Sequence, residues 1–311
     1  MTHGRTGAPA AGDPAARRRG SRVGFVTVTY SPGSTLADLL DSIPRACRHP
    51  GPVVIADNGS TDGSVEQAAR RPGVTVVRTG GNIGYGAAAN LGVAALDDDV
   101  TMVLISNPDV VLGEGAVDEL LAAADRHPQA GAVGPMITTE SGEVYPSARE
   151  LPSIGRGIGH ALTERWWPAN PWTKAYRRYD DLGTERRAGW LSGSCILVRR
   201  AAFEAIGGFD AGYFMYFEDV DLGERMTRAG WQNIYAPTAR VTHLGGHTTG
   251  RHNEEMIRAH HRSAYRYLSS RYARRRHAPM RWALRLGLLA RAELTRWAER
   301  RRTVRGRGAA G

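Results

Sequence analysis

The sequence predicts an α/β protein: a mostly parallel, Rossmann-like sheet flanked by helices, a second half with different patterning, and a C-terminal helical tail. Three observations predict it. Continuous β-branched apolar runs alternate with helix-length segments through residue 137. Turns rich in Gly, Asp, Asn and Ser follow these runs, where ligands of parallel α/β sheets bind. No apolar run approaches the roughly 20 residues of a membrane span.

Val23–Tyr30 (VGFVTVTY) is apolar without alternation, as a strand buried on both faces requires. Thr35–Ala46 follows as a helix, Pro52–Asn58 as a second strand and Ser64–Arg70 as a short helix. Val74–Thr79 is a third strand, Tyr85–Leu96 a helix and Val100–Asn107 a fourth strand. Glu114–Arg126 is a helix and Gly131–Ile137 a fifth strand. This βα order specifies parallel pairing. Residues 152–181 are rich in Trp, Pro and Tyr with little periodicity. Gly189–Arg200 reads as a strand, Ala201–Ile206 as a short helix, and GGFD as a turn. A helix rich in acids at its start, a strand over Trp231–Ala236 and a histidine-bearing loop, VTHLGGHTTG, follow. The expected divisions are a disordered leader at 1–22, a parallel α/β half at 23–137, a differently patterned half at 138–250, and helices with a basic tail at 251–311.

The chain has 311 residues and a net charge of +10, and the charge is uneven. Residues 271–311 hold thirteen Arg and two Glu, and residues 1–22 hold five Arg and one Asp, leaving 23–270 at −5. A nucleic-acid enzyme carries its basic patch on the folded body, so nucleic acid is not an expected partner. Trp282, Leu286, Leu289, Ala290 and Trp297 share much of one helical face beside Arg281, Arg285 and Arg296, interrupted by Glu293. Trp with Arg on a helix suits an anionic membrane surface; an ordinary packed helix with a solvated end fits the pattern equally well. The leader lacks the apolar core of a signal peptide. Cys47 and Cys195 are too few for a disulfide framework and lack metal spacing. The expected location is the cytoplasmic face of the membrane, held peripherally.

The segment Met215–Trp231 (MYFEDVDLGERMTRAGW) carries the most chemistry. Glu218, Asp219 and Asp221 open a helix behind the aromatic residues Tyr213, Phe214, Tyr216 and Phe217. Acids in a first turn suit the helix dipole, but a carboxylate against apolar walls can also serve as a general base. After the second strand, ADNGSTDGS places Asp57, Asn58 and Gly59 where a carboxylate can accept the imide N–H of uracil or thymine; the same residues also make a sound strand-to-helix turn. After the fourth strand, Asn107-Pro-Asp109 offers an amide and a carboxylate to a divalent cation that already holds a diphosphate. Gly84-x-Gly86-x-x-Ala89 mimics a dinucleotide fingerprint, but that motif belongs after the first strand. It reads instead as a loop bringing backbone close to a nucleotide sugar. His243 and His247 lack zinc spacing; His243 is the stronger candidate for a metal or diphosphate contact.

In this order, VTVTYS, ADNGSTDGS, GGNIGYGAAAN, NPD, GWLSGSCILVRRAAFEAIGGFD and MYFEDVDLGERMTRAGW resemble the inverting, GT-A-fold glycosyltransferases of family 2, over roughly Val23 to Thr249. VYPSARELPS, NPWTKAYR and AHHRSAYRYL extend the resemblance. NPD stands where many members have DxD. The resemblance implies dTDP-L-rhamnose as donor, a polyprenyl-diphosphate-linked N-acetylglucosamine (decaprenyl) as acceptor, and Mg²⁺ or Mn²⁺ as cofactor. It implies nucleotide-sugar contacts at Thr29, Tyr30, Asp57, Asn58, Gly59, Asn82, Gly84, Tyr85, Asn107 and Arg225, and metal contacts at Asp109 and His243. Acceptor contacts fall at Trp190, Ser192 and Gly193. Inverting transfer needs one base: Asp219 is expected, Asp221 is its rival, and Glu218 positions the base or the acceptor. Within the family, another nucleotide sugar such as a UDP-hexose is the alternative. A sugar nucleotidyltransferase would need a basic Gly-rich loop after the first strand, which is missing here.

Overall fold

A computed structural model describes residues 23–152, 182–245, 253–283 and 285–287. The leader, most of the Trp/Pro-rich segment, His247, and the tail from residue 288 with Trp297 lie outside the described residues.

Alternation within each central strand builds two cores. β1 (Val23–Thr29), β2 (Pro50–Asp57) and β4 (Met102–Ser106) send Phe25, Ile55 and Leu104 to one face, and Val26, Ala56 and Ile105 to the other. Helices α1 (Thr35–Ala46), α2 (Ser64–Ala68) and α4 (Ala116–Arg126) cover the first face. Helices α3 (Tyr85–Ala94), α5 (Arg200–Ala205) and α6 (Glu218–Arg228) cover the second. Small residues set the α3 spacing. Ala88 and Ala89 are fully buried, and a methyl group on Gly92 would lie 2.5 Å from Val26 Cγ1.

β3 (Val74–Arg78) pairs parallel to β2, β2 to β1, and β1 to β4. The next neighbour is β11 (Cys195–Arg199), from the second half of the chain. It runs antiparallel to both β4 and β6 (Ala130–Thr139). The fifth predicted strand therefore does not pair with the fourth. β6 pairs parallel to β12 (Gln232–His243), and β12 pairs antiparallel to a short β5 (Val110–Leu112). The order β3-β2-β1-β4-β11-β6-β12-β5 interleaves both halves in one sheet.

Two expected boundaries are corrected. VTH is not loop: β12 continues past Ala236 through an irregularity before Arg240 and ends at His243. Pro237 reads as a strand end, but a bulge absorbs a residue that cannot donate to the ladder. Gly189–Arg200 is not one strand either. It divides into β10 (Trp190–Leu191), paired with β8 (Ala148–Arg149), and β11, leaving Ser192–Ser194 as a strap between them.

After α6 and β12, helix α7 (Asn253–Arg271) returns against the turn that starts α6. Ser263 Oγ donates to the Met215 carbonyl at 2.8 Å, and Arg266 Nη2 meets Asp210 Oδ2 at 2.8 Å. Helical residues 278–283 and 285–287 follow. Among the described residues, no helix is long and apolar enough to cross a membrane.

Candidate active site

The loops after β1 and β2 are braced against each other. Ser31 N donates to Ser60 Oγ at 2.9 Å, Thr61 N to Ser31 Oγ at 3.1 Å, and Gly33 N to Asp62 Oδ2 at 2.7 Å. Asp57, fully buried at the end of β2, is their centre. Its Oδ1 accepts from Thr29 Oγ1 at 2.9 Å and Ser60 N at 3.0 Å, and its Oδ2 from Arg78 Nη1 at 2.6 Å. Burial pushes its pKa up, but the bonds from Ser60, Thr29 and Arg78 outweigh burial and hold it below the ordinary value. Both oxygens are thus bonded within the protein, so a base imide would share an occupied oxygen. Asn58 is also inward, its Oδ1 accepting from Thr79 Oγ1 at 3.0 Å and its Nδ2 donating to the Gly84 carbonyl at 3.3 Å. Gly59 turns with φ 95°. Tyr30 stands at the rim, 44% exposed.

The glycine loop before α3 packs against the second half of the chain. Asn82 Oδ1 accepts from Gly84 N at 3.2 Å, and Tyr85 N donates to the Phe214 carbonyl at 3.0 Å. A Cβ on Gly84 would lie 2.5 Å from Phe214 O, and one on Gly86 2.7 Å from Phe209 Cβ. The two glycines dock α3 onto the aromatic turn of the second half.

That turn sets the acids. Tyr216 and Phe217 adopt consecutive left-handed conformations, φ 67° and 66°, uncommon for bulky residues and typical of functional turns. Directly after them, the three acids of α6 meet three environments. Asp221 is bound to Arg225 (Oδ2–Nε 2.6 Å). Arg225 Nη1 in turn donates to the carbonyls of Ile206 and Gly208 at 2.9 and 2.7 Å, while its buried Nη2 has no partner. Burial raises the Asp221 carboxyl, and Arg225 opposes it. Glu218 is buried with Oε2 lacking a partner. Burial, then the neighbouring Asp219, pushes its pKa up to about 8. Asp219 is raised by burial, while its bonds oppose that shift: Oδ2 accepts from Gly193 N at 3.1 Å and Oδ1 from Val220 N at 2.8 Å.

Gly193 ties the site together. Its carbonyl accepts from Tyr85 Oη at 2.6 Å. Burial first, then the neighbouring acidic groups, keep the Tyr85 phenol protonated. Ser192 N bonds the Ser147 carbonyl at 2.7 Å, Asn107 N bonds the Ser194 carbonyl at 2.9 Å, and Trp190 Nε1 bonds the Glu150 carbonyl at 3.1 Å. The structure thus brings Tyr85, Trp190, Ser192, Gly193, Glu218 and Asp219 to one place. Asp57 and Asn58 lie with the nucleotide-side loops. Arg149 was missed: it lies opposite Trp190, and its charge reaches Asp219. Its only signal in sequence was its place in VYPSARELPS.

A third corner forms where β12 ends beside Asn107 and Asp109. His243 Nε2 lies 3.0 Å from Asp109 Oδ1 and 3.4 Å from Asn107 Nδ2. One ring nitrogen cannot donate to the acid and accept from the amide at once. A cation between acid and imidazole removes that conflict. Among the described residues no three His, Cys, Asp or Glu side chains converge. The set fits a divalent ion whose shell is completed by phosphate oxygens and water.

Residues 21–266 match the family described as "Glycosyltransferase like family 2". The chain belongs to glycosyltransferase family 2. It is 48% identical over 279 residues, 86% of this chain and 91% of the relative, to N-acetylglucosaminyl-diphospho-decaprenol L-rhamnosyltransferase of Mycobacterium tuberculosis. It is 27% identical to Rhamnosyltransferase WbbL of Escherichia coli K12, covering 61% of this chain and 72% of that one. Its fold is similar to that of GalNAc-T7 solved with UDP, GalNAc and Mn²⁺ (TM-score 0.54, 16% identity, 72% of this chain and 44% of that chain). This glycosyltransferase therefore has the GT-A architecture that its sequence predicted.

Two predictions separate the acids. If Asp219 takes the acceptor proton, Asp219→Asn, which keeps its shape, lowers kcat about 10²–10⁴-fold with nucleotide affinity unchanged by calorimetry. Asp221→Asn, which frees Arg225, is expected chiefly to lower stability by about 1–3 kcal/mol. Normal turnover in Asp219→Asn beside a dead Asp221→Asn would reverse the assignment.

Glu218 makes stability pH-dependent. Because its folded pKa is raised from 4.5 to about 8, the folded state holds a proton that the unfolded state releases. The wild type should lose stability as pH rises through that window. Denaturation of Glu218→Gln should show a shallower decline and relative stabilisation near pH 8; a slope equal to wild type contradicts the buried, protonated Glu218.

Proposed function

We propose that this glycosyltransferase moves L-rhamnose from dTDP-L-rhamnose, with inversion, to decaprenyl-diphosphate-linked N-acetylglucosamine, building the linker between peptidoglycan and arabinogalactan. The near full-length 48% identity to the mycobacterial enzyme carries the substrate assignment. The geometry supports the chemistry. A single displacement needs one carboxylate to take the acceptor hydroxyl proton, and Asp219 is held for that role by two peptide N–H groups. The donor lies over the strand ends, with Asp57, Asn58 and Gly59 shaping its nucleotide side and Tyr30 at the rim. Asp109 and His243 would hold Mg²⁺ or Mn²⁺, which offsets charge on the departing diphosphate. Trp190, Ser192 and Gly193 form the acceptor wall. Tyr85 fixes Gly193, and so the base, from the donor side.

One experiment tests donor, acceptor and metal together. A short-chain polyprenyl-diphosphate-N-acetylglucosamine is incubated with a panel of nucleotide sugars and the product is weighed by mass spectrometry. Rhamnose transfer from the dTDP donor is expected, abolished by EDTA and restored by Mg²⁺ or Mn²⁺. Preferential transfer from a UDP-hexose establishes the alternative donor, and full activity in chelator removes the metal role of Asp109 and His243.

A lipid acceptor also gives the basic end a purpose. Trp282 and Leu286, one helical turn apart, are 62% and 64% exposed. Arg285 lies over the Trp282 ring at 5.8 Å. We place this face on an anionic, cytoplasmic membrane surface, each basic residue contributing about 1 kcal/mol, screened by salt. Truncation after His277 keeps α7 and is expected to release the protein from anionic vesicles in cosedimentation; unchanged binding argues for a structural tail.

A further inference from the structure

Several arginines of the folded body are paired with carboxylates: Arg78 with Asp57 and Glu66, Arg126 with Glu185, Arg225 with Asp221, and Arg266 with Asp210. Arg149 is built differently. Its guanidinium lies 5.6 Å from the centroids of both the Tyr145 and the Trp190 rings. Its Nε donates to the Pro146 carbonyl at 2.9 Å. Strand pairing sets it opposite Trp190, and Gly189 N bonds the Arg149 carbonyl at 2.9 Å. Among the described residues no carboxylate forms an ion pair with it. The Pro146 carbonyl on Nε and two aromatic faces thus hold the cation, and among the described residues its two terminal nitrogens have no hydrogen-bond partner. Tyr145, at 36% exposed, leaves the place open to solvent.

The position has a chemical meaning. Strand pairing sets Arg149 opposite Trp190, three residues before the Gly193 whose N–H holds Asp219, and its charge favours the ionised carboxylate. An acceptor sugar must present a hydroxyl to that carboxylate. In a sugar linked through a diphosphate, the anion leaves the same ring at its anomeric carbon, so it needs a cation about one sugar ring from the base. The donor diphosphate has its own corner at Asp109 and His243. A guanidinium pre-ordered between two rings matches phosphate oxygens in a two-pronged contact that an ammonium cannot reproduce.

We infer that Arg149, clamped between Tyr145 and Trp190, is the binding residue for the diphosphate of the glycosyl acceptor. The inference rests on the proposed lipid-diphosphate acceptor and deepens it. The site selects acceptors by their anion as well as by their sugar.

The test compares wild type, Arg149→Gln and Arg149→Lys on a short-chain polyprenyl-diphosphate-N-acetylglucosamine and on neutral octyl N-acetylglucosaminide. In Arg149→Gln the ratio of kcat/KM for the diphosphate acceptor over the neutral one is expected to fall roughly 10- to 100-fold. KM for the nucleotide sugar is expected to stay put. Arg149→Lys keeps charge without the fork and should lie between. An equal loss on both acceptors overturns the inference, as does a raised donor KM, which would assign Arg149 to the donor diphosphate. Farnesyl diphosphate, which has the anion and no sugar, gives a second readout by calorimetry. Its Kd should rise by a similar factor in Arg149→Gln, and equal binding refutes the role even if the neutral acceptor is inert. Failure of wild type to use the lipid-diphosphate acceptor at all would instead refute the proposed function.

Discussion

The site depends on the backbone of one residue, Gly193. Gly193 donates its N–H to Asp219 and accepts the Tyr85 hydroxyl on its carbonyl. Tyr85 opens the helix that packs on the donor-side strands, Asp219 opens the acidic helix, and the next residue's carbonyl takes the N–H of Asn107 at the end of β4. Three separate parts of the chain are thus registered on a strap of three residues. Hydrogen bonds to a charged group contribute about 1.5–3 kcal/mol, more than neutral ones, so the strap holds best when Asp219 is ionised. A methyl on Gly193 would meet Asp219 Cβ at 3.4 Å and Tyr85 Cε1 at 3.6 Å, ordinary contact distances or close to them. The hub depends on the backbone itself, not on the missing side chain.

The strap faces a turn that would not hold its shape alone. A left-handed conformation costs of order 1–3 kcal/mol per non-glycine residue, and Tyr216 and Phe217 adopt it in succession. Helix α7 supplies the compensation. Its His260 ring meets Tyr216 and Phe217 edge-on at 5.3 and 5.5 Å, and fully buried Tyr267 lies 5.7 Å from Phe217. Ser263 holds the Met215 carbonyl, and Arg271 reaches Glu224 on α6 at 3.4 Å. A helix more than thirty residues downstream of the acids therefore fixes where they start. If the residues beyond it rest on a membrane, α7 is the element that joins the membrane to the base.

The sheet was legible because central strands are buried on both faces, which forces the unbroken apolar runs of β1 and β4. The turns were legible because only certain residues cap strand-to-helix connections. What was not legible were pairings between distant segments. Nothing local says that β11 enters between β4 and β6, or that Gly84 is small because the Phe214 backbone crosses it. His243 was placed in a loop, after a strand taken to end at Ala236. Only the partner strands β5 and β6 show that the ladder resumes and brings His243 to Asp109. Arg149 escaped because a single arginine has no period or spacing; its meaning comes from two rings contributed by different segments.

The acids of α6 show how one helical turn yields three chemistries. Their helix dipole is shared and their sequence separation is at most three residues, so the differences come from partners. Asp221 has a guanidinium and becomes a brace. Glu218 has neither cation nor donor on Oε2 and keeps its proton. Asp219 has two peptide N–H groups and a nearby arginine, and of the pair it is the better placed to hold negative charge. Like charges so close do not both ionise readily in a buried site, so the neutral state of Glu218 helps leave Asp219 ionised, as the proposed base must be. An anionic acceptor drawn to Arg149 would weaken that arginine's pull on Asp219, making the carboxylate a stronger base when the hydroxyl arrives. The cation that selects the acceptor would then also hold the base quiet in its absence.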